Sequence, residues 1–299
     1  MKQSRRDFFK IAGIIGAGLA GVKPEKANAA PKNVISDDRM GVLVDTTLCV
    51  GCRRCEYACK EAHGIEAGSL DDYDDRSVFK KMRRPDAGAL TVVNEFENDE
   101  ASGLPINVKV QCMHCDHPAC VSACIVGALS KQENGAVIWN GDKCIGCRYC
   151  VVACPFQIPA FEYHKAIEPD IVKCDFCYER TSKGGIPACV EACPMEALTY
   201  GKRFDLIKLA HNRINADPDN YIDHVYGEHE VGGTSWMYLA SKDFSELALP
   251  EHGSEPMPGA SESLQHGIFK YFIPPASLYA LLGGIMWLGK KKEKSELGE

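Results

Sequence analysis

The sequence predicts an α+β fold made of two similar cysteine-loop units, followed by a C-terminal transmembrane helix. Three observations lead to this prediction. Sixteen cysteines fall into four groups of four, short strand-like segments alternate with these groups, and residues 271–289 carry no charge. Alternating short strands and loops are typical of an α+β fold, and the uncharged run has about the ~20 residues that a helix needs to cross a bilayer.

Two of the cysteine groups have the same strict spacing, C-x2-C-x2-C-x3-C. The first group is Cys49, Cys52, Cys55 and Cys59, and the third is Cys144, Cys147, Cys150 and Cys154. This run binds iron–sulfur clusters in bacterial ferredoxins. Three thiols on one loop can close around three corners of one cubic cluster. The fourth thiol lies on the helix that follows, points away, and therefore serves a second cluster.

The other two groups have a looser spacing and resemble each other. The second group is Cys112, Cys115, Cys120 and Cys124, and the fourth is Cys174, Cys177, Cys189 and Cys193. Pro-Ala-Cys-Val occurs in both, at 118–121 and at 187–190. The order strict, loose, strict, loose indicates a duplicated two-cluster unit. Since four groups of four use all sixteen cysteines, the sequence predicts four 4Fe–4S clusters.

Two other uses of cysteine compete with this interpretation. Zinc binds pairs of C-x2-C rather than runs of four, and the proline after Cys154 and Cys193 has no role in a zinc site. A disulfide scaffold suits an exported protein with an even cysteine count, but such frameworks belong mainly to small domains. Either alternative would give an iron-free, colourless envelope protein.

Residues 1–29 resemble a twin-arginine signal peptide. Ser4–Lys10 matches the twin-arginine motif, an apolar stretch follows, and Ala27–Ala29 has the form of a cleavage site. Free thiols would risk forming disulfides in an oxidising compartment. Export in the folded state, with clusters already inserted, would avoid that risk for the sixteen cysteines. Without these residues the chain has 28 basic and 39 acidic side chains, which disfavours binding to nucleic acid.

The remaining segments are assigned by pattern. Strands are expected at 41–45, 90–96, 106–110, 197–200 and 235–240, a hairpin at 129–139, and a helix at 202–215 whose shared face is Phe204, Ile207, Ala210, His211 and Ile214. The predicted domains are a four-cluster region at 30–200 with its second unit at about 105–165, a covering segment at 201–249, a linker at 250–268, a transmembrane helix at 269–289 and a cytoplasmic tail at 290–299.

The uncharged run predicts a membrane anchor because of its surroundings. A Pro- and Gly-rich linker precedes it, and four lysines follow it within 290–294. Positive residues stay on the cytoplasmic side, so the tail is expected inside and the cysteine groups outside, at the periplasmic face of the inner membrane. A buried core helix is the alternative for the same residues.

Across 41–200 the chain resembles the four-cluster iron–sulfur subunits of molybdopterin oxidoreductases and membrane hydrogenases, which consist of two bacterial ferredoxin-like 4Fe–4S domains. The export signal, the expected anchor and the segment Tyr221–Leu239 are similar to the hydrogenase-2 type within this class. The resemblance implies that the strict and loose groups exchange their last cysteines, with the second ferredoxin-like unit inserted in the first.

The cluster ligands implied by the resemblance form four sets. Set 1 is Cys49, Cys52, Cys55 and Cys193; set 2 is Cys59, Cys174, Cys177 and Cys189; set 3 is Cys112, Cys115, Cys120 and Cys154; set 4 is Cys124, Cys144, Cys147 and Cys150. His114, His117 and Arg148 lie near these cysteines, either as residues that tune the clusters or as exposed loop residues.

The resemblance implies an electron-transfer subunit with no substrate chemistry of its own. The sequence shows neither a nucleophile with its base nor a Gly-rich nucleotide loop. The expected partners are a periplasmic NiFe hydrogenase and a quinone-reactive integral membrane subunit. The same role beside formate dehydrogenase, a polysulfide or nitrite reductase, or a multihaem cytochrome is the alternative.

Overall fold

The computed structural model describes residues 38–98, 104–165, 167, 169–259 and 278–287. The chain divides into two compact units, and the larger one, 34–258, contains all sixteen cysteines. Short strands and helices alternate through this unit, which supports the ferredoxin-like α+β part of the predicted fold. The predicted signal peptide and the cytoplasmic tail lie outside the described residues.

The elements of the larger unit are mostly shorter than seven residues. Its strands are β1 (Met40–Asp45), β2 (Val92–Phe96), β3 (Ile106–Val110), β4 (Leu129–Lys131), β5 (Val137–Trp139), β6 (Ala160–Phe161), β7 (Ile171–Val172), β8 (Leu198–Lys202) and β9 (Trp236–Leu239). Its α-helices are α1 (Arg54–Ala62), α2 (Ala119–Ser122), α3 (Tyr149–Ala153), α4 (Tyr178–Thr181), α5 (Ala188–Glu191) and α6 (Arg203–Ala216). Single 3-10 turns occupy Leu70–Asp74, Arg76–Lys80, Gly141–Lys143 and Glu230–Gly232.

A three-stranded sheet of order β8-β1-β9 holds the two ends of the unit together. β1 pairs antiparallel with β8 and parallel with β9, so that Val42 lies opposite both Tyr200 and Trp236. All four residues of β9 are buried. The strand-like segments predicted around 41–45, 197–200 and 235–240 are therefore confirmed, and they form one sheet.

The other strands form three separate antiparallel hairpins: β2 with β3, β4 with β5, and β6 with β7. The Asn-Gly turn predicted at 134–135 joins β4 to β5, where Gly135 has a φ of 93°, a conformation that favours glycine. The hairpins carry the chain from one cysteine loop to the next.

The face of helix α6 that packs on the sheet agrees only in part with the predicted one: Ala210 and Ile214 are buried and Ile207 packs beside them, as predicted, but Phe204 and His211 are not covered. Leu206, Ala210 and Ile214 are buried against Leu43 and Met237, whereas Phe204 is 58% exposed. His211 is also exposed. Both sets of positions recur with a helical period, and only the position of the sheet decides which of them is covered.

A buried carboxylate fixes this packing. Asp45, at the end of β1, is fully buried and accepts hydrogen bonds from Arg213 Nη1 at 2.7 Å and from the Tyr221 hydroxyl at 2.9 Å. The same carboxylate accepts from the Thr47 hydroxyl at 2.6 Å. Residues from 201–249 thus complete the core of the unit, because they supply its third strand, its longest helix and the partners of Asp45.

The prediction of a transmembrane helix at 269–289 is wrong. No helix in the described part of the chain is long and apolar enough to cross a membrane. Within the predicted span the structure describes a helix at 278–287. The absence of charged residues is a feature of composition, and composition alone does not determine how long a helix is.

The two strict cysteine groups share one backbone shape. Gly51 and Gly146 have φ values of 70° and 68°, and Arg53 and Arg148 have φ values of 57° and 60° at the start of α1 and α3. In each loop, one residue with a left-handed conformation precedes the second cysteine and another follows it, and together they turn the loop back on itself. The three thiols of one loop thereby point toward a common centre, as the spacing predicts.

Replacing these two glycines by alanine should have unequal effects. A Cβ at Gly51 would overlap the Asn107 amide, whose Nδ2 donates to the Cys49 carbonyl at 3.0 Å, whereas a Cβ at Gly146 would first meet Phe161 at 3.8 Å. Gly146→Ala should cost the ~1 kcal/mol of a left-handed alanine. Gly51→Ala should cost about 2–4 kcal/mol, since it adds overpacking and a lost hydrogen bond.

The measurement is thermal unfolding of the two variants, purified without oxygen and compared with the parent. At about 2–4 °C per kcal/mol for a protein of this size, Gly51→Ala should lower Tm by roughly twice as much as Gly146→Ala or more. An equal or larger loss for Gly146→Ala would show that the Asn107 contact does not shape the first loop.

Candidate metal centres

The four thiols of set 1 line one cavity. Its empty volume is about 410 Å³, and its wall includes Cys49, Cys52, Cys55 and Cys193, together with Lys109 and apolar side chains such as Val44 and Leu198. Three of the cysteines come from the loop before α1 and its first turn, and Cys193 comes from the turn after α5. The structure therefore brings together residues that are 138 positions or more apart in sequence.

A second cavity brings together the four thiols of set 4. It has an empty volume of about 310 Å³ and is lined by Cys124, Cys144, Cys147 and Cys150, with Trp139 and Ile171 beside them. The fourth thiol again comes from elsewhere, since Cys124 follows α2. Cys147 is exposed, whereas Cys150 is buried.

The remaining eight thiols form two groups, in which all but Cys154 are buried. Cys59 is an electrostatic neighbour of Cys174, Cys177 and Cys189, which assembles set 2. Cys115 is an electrostatic neighbour of Cys112, Cys120 and Cys154, which assembles set 3. All sixteen cysteines are free thiols, so the disulfide scaffold is not supported. The structure groups the thiols as the resemblance implies, while the ligand assignments stay a prediction.

Burial makes the negatively charged thiolate form of these cysteines unfavourable unless a positive charge lies nearby. It raises the pKa of Cys55, Cys115 and Cys174 well above the ordinary value, and it raises the pKa of Cys120 to about 12. Neighbouring thiols add to the effect. Metal-free thiols of this kind stay protonated at neutral pH, whereas bound iron supplies the positive charge that makes thiolates stable in such surroundings. The donor sets therefore fit iron–sulfur clusters.

Backbone N–H groups converge on some of the sulfurs. The amide of Ala128 donates to Cys124 Sγ at 3.1 Å. Burial works to raise the pKa of Cys124, but hydrogen bonds from the amides of residues 126–129 outweigh it, so the pKa is lowered overall. Hydrogen bonds to sulfur stabilise the thiolate form that binds iron.

Two buried donors without a protein acceptor also fit a cofactor. His114 is completely buried, and its Nδ1 accepts the backbone N–H of Val137 at 2.8 Å, so the neutral ring carries its proton on Nε2. Burial lowers the pKa of His114 well below its ordinary value. Its Nε2, and Nε1 of Trp139, find no hydrogen-bond partner among the described residues. Acceptor sulfurs beside sets 3 and 4 would explain both donors.

Of the three residues singled out beside the cysteines, His114 alone is buried. His117 is half-buried. Arg148 is exposed, and its guanidinium lies 5.3 Å from the ring centroid of Phe161 and 5.6 Å from that of Tyr163. Arg148 also lines the cavity of set 4, so both interpretations stay open for this residue.

Sequence reasoning missed one pair of residues beside set 2. His63 Nε2 lies 2.8 Å from Asp175 Oδ1, and its Nδ1 lies 3.8 Å from Cys59 Sγ. These hydrogen bonds raise the pKa of His63 to about 11. His63 and Asp175, with Cys177, could hold a metal ion, but Cys177 already belongs to set 2. The signal in the sequence was the position of His63 four residues after Cys59 on α1.

Two family profiles match the cysteine-rich region. Each describes a 4Fe–4S dicluster domain, and they cover residues 48–128 and 106–203. The chain is 32% identical over 322 aligned positions to the hydrogenase-2 operon protein HybA of Escherichia coli O157:H7, which covers 98% of this chain and 97% of HybA. This chain belongs to the family of HybA-like 4Fe–4S subunits.

Other relatives extend the family. The iron–sulfur subunit of the nitrate-inducible formate dehydrogenase of Escherichia coli K12 is 33% identical over 264 positions, which covers 84% of this chain and 86% of that subunit. A protein of Nitratidesulfovibrio vulgaris, named only as a protein, is 47% identical over 251 positions, covering 83% of this chain and 67% of its own length. With two dicluster domains and sixteen cysteines, the chain is an electron-transfer subunit with four 4Fe–4S clusters.

The grouping of thiols predicts which substitutions damage the same cluster. Cys59→Ser should affect the same cluster as Cys177→Ser, and Cys52→Ser the same one as Cys193→Ser, because each pair lies in one set. Each variant should lose part or all of one cluster, so iron should fall from about 16 to 12–15 per chain at four irons per cluster. Electron paramagnetic resonance of the reduced proteins identifies the lost signal.

Cys52 and Cys59 supply the internal control because they belong to one sequence motif but to different sets. If Cys59→Ser and Cys52→Ser abolish one shared signal while Cys177→Ser leaves it intact, ligation follows the sequence motif. The exchange of fourth cysteines, and the assignment of all four sets, would then be wrong.

Proposed function

We propose that this subunit relays electrons between a periplasmic NiFe hydrogenase and a quinone-reactive membrane subunit, without substrate chemistry of its own. The observation that carries the proposal is the arrangement of the thiol sets in a row. Cys55 of set 1 is an electrostatic neighbour of Cys189 of set 2. Cys174 of set 2 neighbours Cys112 of set 3, and Cys120 of set 3 neighbours Cys150 of set 4.

The helices explain this order. α1 carries Cys55 of set 1 and, one turn later, Cys59 of set 2. α2 likewise carries Cys120 of set 3 just before Cys124 of set 4. When bound, a 4Fe–4S cluster takes up and releases single electrons, with a potential set by charge, hydrogen bonds and solvent exposure. The protein holds the sets adjacent and buries half of their sixteen thiols.

Both ends of the row reach the surface among apolar side chains. Ile145, Tyr149 and Val152 are 58–80% exposed beside set 4. At set 1, Val50 and Met195 are 49% and 45% exposed. Exposed apolar clusters are typical of protein interfaces. Two such ends support a relay between two different partner subunits.

The proposed partners follow from the relative that spans nearly the whole chain, since HybA is a hydrogenase-2 operon protein. The proposal includes export: the twin-arginine-like residues within 1–29 would direct the subunit to the periplasmic face of the inner membrane. A formate dehydrogenase is the second candidate partner, because a formate dehydrogenase iron–sulfur subunit matches 84% of the chain.

The test compares two electron acceptors in membranes of the native host, with and without the gene for this chain. Viologen dyes take electrons directly from a catalytic subunit, whereas a quinone requires the relay. Loss of the chain should abolish hydrogen-dependent quinone reduction and leave hydrogen-dependent viologen reduction intact. Re-expression of the parent chain should restore the lost activity, and the Cys147→Ser variant should restore less of it.

Formate supplies the matched control in the same membranes. If formate-dependent quinone reduction disappears while the hydrogen-dependent activity persists, the formate dehydrogenase is the partner. If both quinone activities survive the deletion, the relay proposal is wrong for both partners. If hydrogenase purified from the strain without this chain no longer reduces viologen, the chain has a catalytic role instead.

A further inference from the structure

Lys109 is a buried cation placed among the thiols. It lies in β3, is 2% exposed, and lines the cavity of set 1 together with Cys49, Cys55 and Cys193. It is also an electrostatic neighbour of Cys59, Cys174 and Cys189 of set 2. Lys109 therefore lies between the first two thiol sets of the row.

A network of neutral groups holds its ammonium in place. Lys109 Nζ donates to Thr91 Oγ1 at 2.7 Å and to Gln111 Oε1 at 3.0 Å, and it lies 4.4 Å from the ring centroid of Trp236. Gln111 is fixed in turn, because its Nε2 donates to the Tyr238 hydroxyl at 2.6 Å. The side chain is thus positioned by three buried partners, none of which carries a charge.

This lysine has no carboxylate partner within ion-pair distance among the described residues. Lys131, another largely buried lysine, has one: its Nζ lies 3.7 Å from Asp116 Oδ1. Taking an ammonium out of water without an anion is strongly unfavourable. The missing anion is explained by the neighbouring sets, since four thiolates give each bound cluster a net negative charge.

We propose that Lys109 is the counter-ion of the clusters held by sets 1 and 2 and that its charge raises their reduction potentials. Reduction adds one electron, and so one negative charge, to a cluster. A fixed positive charge nearby stabilises the reduced form more than the oxidised form. The inference depends on the cluster content of the chain and is independent of which partner supplies the electron.

The surroundings of Lys109 agree with this role. Burial works to lower the pKa of the ammonium, but negative charge on the sulfurs of sets 1 and 2 raises it, and the pKa lies above its ordinary value overall.

The experiment is a redox titration of the full-length, anaerobically purified protein, followed by electron paramagnetic resonance. Signals are assigned to sets with the cysteine variants described above. Lys109→Met removes the charge at similar volume. At a potential fixed near each midpoint, the ratio of reduced to oxidised cluster in sets 1 and 2 should fall about tenfold, equivalent to 59 mV for one electron. Sets 3 and 4 should be unchanged.

Two controls separate charge from packing. Thr91→Val removes one hydrogen bond and keeps the ammonium, so it should shift sets 1 and 2 much less than Lys109→Met. Lys131→Met removes a buried lysine that is an electrostatic neighbour of Cys115 in set 3, so it should leave sets 1 and 2 unchanged. Lys109→Arg, which keeps the charge, should restore most of the parent potential.

Unchanged potentials of sets 1 and 2 in a fully loaded Lys109→Met protein would overturn the proposal. An equal shift in Thr91→Val, or an equal shift of all four sets, would also overturn it. If the Lys109→Met variant does not retain its clusters, the Gln111→Glu variant tests the proposal in its place. It places a carboxylate beside the intact ammonium, and the proposal requires lower potentials for sets 1 and 2. Neither result bears on whether hydrogenase or formate dehydrogenase is the partner.

Discussion

The architecture depends on one constraint: each set of four thiols takes three cysteines from one part of the chain and the fourth from another. Cys55 and Cys59 lie one turn apart on α1 and join different sets, and so do Cys189 on α5 and Cys193 just after it. A set cannot form until both segments are in place. The sheet of β1, β8 and β9 meets this requirement, because it joins the beginning and the end of the cysteine-rich region.

The sequence predicted the parts of the structure that spacing controls. The three strands of the sheet and the boundaries of α6 agree with the patterns that predicted them. The buried face of α6 agreed only in part, because a helical period shows which residues share a face and not how that face is turned toward a neighbour. The C-terminal span failed for a similar reason, since hydropathy was taken as evidence of helix length.

The polar groups beside the thiol sets could not be predicted from pattern. In β3, Ile106 and Val108 alternate with Asn107 and Lys109, which is typical of a strand with one wet face. Both faces of β3 are buried instead, since the polar face points toward set 1. His114 was singled out by its position between Cys112 and Cys115, but its tautomer depends on the Val137 amide, which only the fold brings near. The burial of these polar groups is explained only by the clusters that they face.

The claim that all sixteen thiols hold four 4Fe–4S clusters is tested most directly by counting iron and acid-labile sulfide in the intact protein, purified without oxygen, and recording its Mössbauer spectrum. The account predicts about 16 irons and about 16 sulfides per chain, at four of each per cluster, with every iron in a tetrathiolate-ligated 4Fe–4S environment. A fully folded protein with about half of this iron, or with zinc in place of it, would contradict the account.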